Sequence, residues 1–226
     1  MTGLVARQRA DLAPGAVHIP DWLGAERQAE LVAACREWAR PPAGMRHTLL
    51  PTGAVMSVQT VCLGWHWVPY RYGKTADDGA PVKPLPDWLA ALGRQAVADA
   101  YGVDAAAFHG ADYRADVALV NFYDDVARMG MHQDREEQST APVVSISLGA
   151  ACMFRLGNTE NRNRPWIDVR LESGDLLVFG GPARLAFHGV AKTFAGSCRS
   201  AIGLATGRLN ITLRESGLSA PSSDQK

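Results

Sequence analysis

The stretch MGMHQDREE, Met129 to Glu137, sets His132 and Asp134 two residues apart. On an extended strand such residues project to one face while Gln133 points away, so both can bind the same metal ion. An isolated pair of this kind also fits a half-exposed turn with its polar groups in water. His188, in LAFHGV, offers a third ligand, although its apolar surroundings taken alone suggest a core histidine. Two histidines and one carboxylate make the facial set that holds non-haem Fe(II) with positions left open. The same ligands serve zinc hydrolysis, so these three residues do not choose the metal.

The last hydrophobic run is the second source of chemistry. In GRLNITLRE, Arg208, Asn210, Thr212 and Arg214 fall on one face, and Leu209, Ile211 and Leu213 on the other. By itself this is an amphipathic edge strand with its polar side in solvent. Beside a metal site, two inward arginines make a carboxylate clamp, because guanidinium donors pair bidentately with carboxylates. A dicarboxylic keto acid suits such a pocket. Asn121 and Tyr123 in VNFYDD repeat the two-residue spacing and add hydrogen-bonding groups for the same anion.

Elements that could position these groups follow from the hydrophobic pattern. PDWLGAERQAELVAACREWAR places Trp22, Leu31, Val32, Cys35 and Trp38 at helical spacing, with Asp21 available as a cap. A second helix, DWLAALGRQAVADAYG, is expected with Asp87 as cap and Gly102 as stop. From Ala115 the texture changes to short β-rich runs: DVALVNFY, PVVSISLG, CMFRLG, WIDVRLE, DLLVFGG and RLNITLRES. Strands in such a series suggest a β-sandwich or jelly roll. The expected organisation is therefore an N-terminal helical extension over residues 1–114, a jelly-roll core over 115–216, and a flexible tail over 217–226.

Composition narrows the classes. The chain has 226 residues, 47% of them hydrophobic, enough for one sizeable core. Formal net charge is zero, so neither nucleic acid nor an anionic membrane is advertised by bulk electrostatics, and nucleic-acid binding would have to be local. No apolar run is long enough to span a bilayer, and the N-terminal stretch lacks the apolar core of a signal peptide, so the cytoplasm is the expected location. Cys35, Cys62, Cys152 and Cys198 show no C-x-x-C pair, which argues for buried thiols and against disulfides or a zinc cluster.

NFY, MHQDREE, APVVSISLGA, GDLLVFGGPARLAFHG and RLNITLRES, with MSVQTVCLGW upstream, closely resemble the AlkB family of Fe(II)- and 2-oxoglutarate-dependent nucleic-acid demethylating dioxygenases. The resemblance implies a mainly β fold with flanking helices, a double-stranded β-helix (jelly roll) under an N-terminal nucleotide-recognition lid. It implies that His132, Asp134 and His188 hold Fe(II), and that Asn121, Tyr123, Arg208, Asn210 and Arg214 bind 2-oxoglutarate, with Thr212 on the same face. Dioxygen would be the second cosubstrate. The implied partner is alkylated DNA, single-stranded or with a flipped base, and RNA as a further substrate; no membrane is involved and a monomer is expected.

The implied activity is oxidative removal of N-methyl groups from 1-methyladenine and 3-methylcytosine, giving formaldehyde, succinate and carbon dioxide. Such a methyl group is hidden in a duplex and has to be extruded. For the base itself the resemblance points to Trp65, stacked opposite His188, to Tyr70 and Tyr72 of the lid, and to Glu136 and Arg162. Phe179 and Leu209 stand where the family has a tryptophan and a tyrosine. Two other readings remain: an Fe(II) hydroxylase of a protein side chain or small metabolite, and a non-enzymatic jelly-roll binding module.

Overall fold

The computed structural model describes residues 7–69, 71–198 and 200–218. Strands β1 (Ala10–Ala13) and β2 (Ala16–Ile19) are followed by helix α1 (Ala25–Ala39). The helix begins later than the spacing suggests. Trp22 precedes it and donates its indole N–H to Asp99 at 2.8 Å. Asp21 is not its cap: it takes a φ of 52°, and its backbone N–H donates to Asp175 at 3.0 Å, leaving Gly24 in the cap position. Strands β3 (Arg46–Leu49), β4 (Val55–Leu63), β5 (His66–Val68) and β6 (Arg71–Gly73) lead to α2 (Asp87–Tyr101). Asp87 is the first residue of α2 and Pro86 its cap, while Gly102, at φ 54°, ends it as expected.

The remaining strands are β7 (Val117–Tyr123), β8 (Met129–His132), β9 (Val143–Gly149), β10 (Cys152–Leu156), β11 (Ile167–Leu171), β12 (Leu176–Phe179), β13 (His188–Thr193) and β14 (Arg208–Arg214). Eight strands form one sheet in the order β1-β2-β12-β9-β14-β7-β4-β3, and four form a second in the order β11-β10-β13-β8. The inner faces of both meet: Phe154, Val169 and Leu171 of the smaller sheet pack with Val143, Leu177 and Phe179 of the larger. This is the jelly roll. On the outer face of the larger sheet, Leu31 and Val32 of α1 and Leu89, Leu92 and Val97 of α2 pack against Ile146, Leu148, Ile211 and Leu213. Truncating a leucine as fully enclosed as Leu89 removes about 2–5 kcal/mol of stability.

Two points of topology decide the site. β14 lies inside the larger sheet between β9 and β7, and all seven of its residues are buried. The solvent-facing edge strand is thereby excluded, and its polar face points between the sheets. The larger sheet also draws β1 to β4 from before Ala115, so the N-terminal part shares the core's sheet as well as forming the separate hairpin β5-β6. Among the described residues no helix is long and apolar enough to cross a membrane.

Candidate active site

His132 ends β8, and its Cα pairs with that of His188, the first residue of β13. Antiparallel pairing thus sets the two imidazoles side by side, with ring centroids 4.4 Å apart. Asp134 follows the end of β8 rather than continuing the strand, yet its carboxylate reaches both rings: Oδ1 lies 3.6 Å from His132 Nε2 and Oδ2 3.5 Å from His188 Nε2. One ligand atom from each of the three residues falls within 4.8 Å of the others.

Hydrogen bonding fixes the imidazole tautomers. His132 Nδ1 lies 2.9 Å from the Gly130 carbonyl and His188 Nδ1 2.9 Å from the Ala186 carbonyl. A carbonyl only accepts, so each Nδ1 carries the proton and each Nε2 offers a lone pair. Burial, then the neighbouring His132, pushes His188 down to about 4, so its ring is neutral near pH 7. Burial would raise the Asp134 carboxyl, but Arg214, His188, His132 and Arg184 together outweigh it and hold the group well below the usual carboxylate range. Buried Asp134 Oδ2 accepts no hydrogen bond. Two imidazole Nε2 atoms and a carboxylate therefore converge, and that donor set fits Fe(II).

These ligands stand at one wall of a cavity of about 520 Å³ lined from both sheets. Opposite them is Arg208, 1% exposed. Its Nη2 donates to Ser147 Oγ at 3.0 Å, but Nε and Nη1 are buried without a partner. A buried guanidinium with two idle donors is costly unless an anion meets it, and a carboxylate supplies two acceptors in matching geometry. The residues present therefore fit 2-oxoglutarate. Asn121 accepts from Thr60 Oγ1 at 2.8 Å, Asn210 donates to Ser145 Oγ at 2.8 Å, and Thr212 donates to Asn210 Oδ1 at 2.8 Å. Tyr123 completes this wall.

Arg214 serves the metal end differently. Its Nη2 lies 2.6 Å from Asp134 Oδ1, and its Nη1 donates to Glu137 Oε1 at 2.9 Å and to the Tyr72 hydroxyl at 3.0 Å. Tyr72 in turn donates to Glu137. The Glu137 side chain is fully buried and also takes Arg184 Nη2 at 3.0 Å. Burial lowers the affinity of Arg214 for its proton, but Asp134, Tyr72 and Glu137 reverse this and keep the guanidinium charged.

The rim differs from the expectation in the lid. Trp65 does not line the cavity. Gly64, at φ 77°, turns the chain so closely past the Asp116 carbonyl that a Cβ there would sit 1.9 Å from it. The Trp65 indole is drawn under Asp116, donating to Oδ2 at 3.2 Å, and Lys74 covers its face at 3.4 Å from the ring centroid. Trp67, two residues on, lines the cavity, with an indole N–H that is buried and unpartnered. Tyr72 is likewise absent from the lining and belongs to the Glu137 network, and Tyr70 lies outside the described residues. Glu136 and Arg162 do line the cavity, Arg162 with its guanidinium 6.0 Å from the Phe187 ring centroid. Sequence reasoning missed Trp67, Glu137 and Arg184. Only the W-x-W spacing and the second glutamate of REE could have drawn attention to the first two.

Residues 15–214 match the 2OG-Fe(II) oxygenase superfamily, the class that this fold and ligand set define. Within it, the alpha-ketoglutarate-dependent dioxygenase AlkB of Salmonella typhimurium is 34% identical over 193 residues, covering 82% of this chain and 84% of that protein. The chain belongs to the AlkB family. DNA N(6)-methyladenine demethylase ALKBH1D of Arabidopsis thaliana is 32% identical over 227 residues, 93% of this chain but 51% of that protein, so the chain spans about half the length of this relative. The solved structure of OsALKBH1 superposes with a TM-score of 0.80 at 30% identity, covering 92% of this chain and 99% of that one.

Proposed function

We propose that this protein is a repair dioxygenase that removes N-methyl groups from 1-methyladenine and 3-methylcytosine in DNA, and in RNA, acting in the cytoplasm as a monomer. The observation that carries this reading is the pairing, in one cavity, of three metal-directed ligand atoms with the buried Arg208 guanidinium and its two unpartnered nitrogens. The names of the relatives, which include an AlkB dioxygenase and a DNA N(6)-methyladenine demethylase, support a nucleic-acid base as substrate.

Bound Fe(II), with 2-oxoglutarate and dioxygen, supplies the oxidation: one oxygen atom enters the N-methyl group, the other enters succinate, carbon dioxide leaves, and the hydroxymethyl base releases formaldehyde. The protein's own part is positioning. Arg208 holds the distal carboxylate of the cosubstrate, and Asn121, Tyr123 and Asn210 shape its bed. Arg214 holds Asp134 through Oδ1, leaving Oδ2 as the oxygen that would bind the metal. At the rim Trp67 offers a ring on which an extruded base stacks, and Glu136 a charge that favours the cationic forms of both methylated bases. Base–aromatic stacking is worth about 1–3 kcal/mol, enough to hold a flipped nucleotide whose extrusion costs a few.

The test is incubation with Fe(II), 2-oxoglutarate and single-stranded DNA or RNA bearing 3-methylcytosine, reading formaldehyde, succinate and restored base. Repair is the expected result. Succinate without repair of either polymer would shift the substrate to a protein side chain or metabolite, and absence of both metal binding and succinate would leave only a binding module.

A further inference from the structure

The outer face of the smaller sheet carries a feature that the cavity chemistry does not use. On β10, Cys152, Phe154 and Leu156 point inward, so Met153 and Arg155 point out. Pairing places Arg170 on one side of Met153 and Lys192 on the other, and Asp168 beside Arg155. Two rings stand among these cations. The Trp166 ring carries two guanidiniums, that of Arg155 at 4.4 Å from its centroid and that of Arg164 at 5.1 Å. The Phe194 ring carries Arg170 at 4.5 Å and Lys192 at 5.2 Å.

A ring beneath a cation restrains the long side chain without using its N–H donors. The entropy of ordering is met in advance, and the donors stay free for an anion. The acids of this face do not use them all. Asp168 takes Arg155 at 2.7 and 3.0 Å, Glu172 takes Arg170 at 3.0 Å, and Glu160 lies in the neighbouring loop. Among the described residues the side chains of Arg162, Arg164 and Lys192 donate no hydrogen bond, and Arg164 acts on Asp168 only through space. Arg162 joins this face to the active site: it lines the cavity and lies two residues before Arg164.

We propose that Arg162, Arg164 and Lys192 form a phosphate track, which carries the single-stranded DNA flanking the extruded nucleotide away from the cavity mouth and over the outer face of the smaller sheet. The inference rests on the nucleic-acid reading above and adds the path of the strand. Because both rings are already covered by cations, the track reads phosphates and not bases, so it is indifferent to sequence. It also resolves the neutrality of the chain, since a few restrained cations in one place suffice where net charge offers nothing.

The test is fluorescence anisotropy of the whole protein, loaded with Mn(II) and 2-oxoglutarate, against an unmodified DNA dodecamer and a trinucleotide over a range of salt. Each single-strand phosphate contact contributes about 0.7 to the slope of log K against log salt. Arg164→Ala/Lys192→Ala should lower the dodecamer slope by about 1.4 and weaken dodecamer binding by about tenfold at physiological salt. Trinucleotide binding and thermal midpoint should stay unchanged. Arg164→Lys/Lys192→Arg should restore the slope, and Arg94→Ala/Arg114→Ala, in and after α2, should leave it alone. An unaltered slope in the first variant, or an equal loss in the α2 variant, overturns the track. Failure of the wild-type protein to release formaldehyde from a methylated trinucleotide overturns the repair reading separately, because the salt slope needs no turnover.

Discussion

The floor of the cavity comes from β7, β8, β13 and β14, strands paired within the two sheets, and from Asp134 just past β8, whereas its rim comes from the β5-β6 hairpin and the loop of residues 158–166. On the floor, a side chain's direction follows from strand alternation and register: Arg208 pairs with Tyr123 and Asn210 with Asn121, so the whole cosubstrate wall is set by one antiparallel ladder. At the rim, a single glycine turn at Gly64 decides that Trp65 is tucked under Asp116 while Trp67 takes the cavity. Residues that a ladder fixes can be assigned from spacing; residues hung on a short hairpin cannot. The Glu137 network joins the two regions, because Tyr72 of the hairpin and Arg214 of the floor share its carboxylate.

The strongest challenge to the floor is His132→Ala or Asp134→Ala, either of which should abolish formaldehyde release and Mn(II) binding measured by calorimetry. Retained metal affinity would detach these residues from the site. Arg208→Ala removes two charge-assisted hydrogen bonds to the distal carboxylate, about 3 kcal/mol, and should raise KM for 2-oxoglutarate about a hundredfold with a smaller change in kcat. An unchanged KM would break the assignment of the clamp.

The rim is sharpened by setting two tryptophans against each other. Trp67→Ala should raise KM for a methylated oligonucleotide about tenfold, in line with one lost stacking contact, while substrate-free conversion of 2-oxoglutarate to succinate is unaffected. Trp65→Ala should act on stability instead, losing about 3 kcal/mol and lowering the thermal midpoint by about 6–12 °C. The reverse pattern would restore Trp65 to the cavity. For the link between the regions, Glu137→Gln should weaken Mn(II) binding about tenfold, the scale expected of groups that orient a metal ligand. It should also increase proteolysis of the β5-β6 hairpin, which a loss confined to the metal would not.

The smallest effect concerns a buried carboxylate far from the chemistry. Asp175 binds His18 at 2.9 Å and Arg7 at 2.7 Å. Burial raises its carboxyl, but His18, Arg7 and the backbone N–H groups of Glu172 and Asp21 outweigh it and keep the group below the ordinary carboxylate value. A depressed value in the folded state means that the stabilisation is complete above about pH 4, and is lost as pH falls through the folded value. The thermal midpoint should therefore decline below about pH 4, and Asp175→Asn should flatten that decline while lowering the midpoint at neutral pH. Neither change should touch KM for 2-oxoglutarate, which separates this anchor from the cavity floor.

The strands that were legible in advance, from DVALVNFY to RLNITLRES, were those with enough alternating or β-branched residues to declare themselves. β1, β3, β5, β6 and β8 have three or four residues each, too few to show a period. β3 and β8 are held by the longer β4 and β13, while β1 pairs with the equally short β2 and β5 with β6 in hairpins. The same limit hid the start of α1, where Asp21 looked like a cap yet was claimed by Asp175 from a strand turn far along the chain.

By itself, then, the order of residues determined the ligand types, their two-residue spacings and the polar face of β14, because these are local consequences of backbone geometry. Tertiary structure alone decided that this polar face is internal, that His132 and His188 meet across a strand pair, and that Trp67 rather than Trp65 stands at the cavity. Those outcomes depend on which segments pack together over long sequence distances, and burial of Arg208 and Asp134 acquires its chemical meaning only when both are enclosed by the same two sheets.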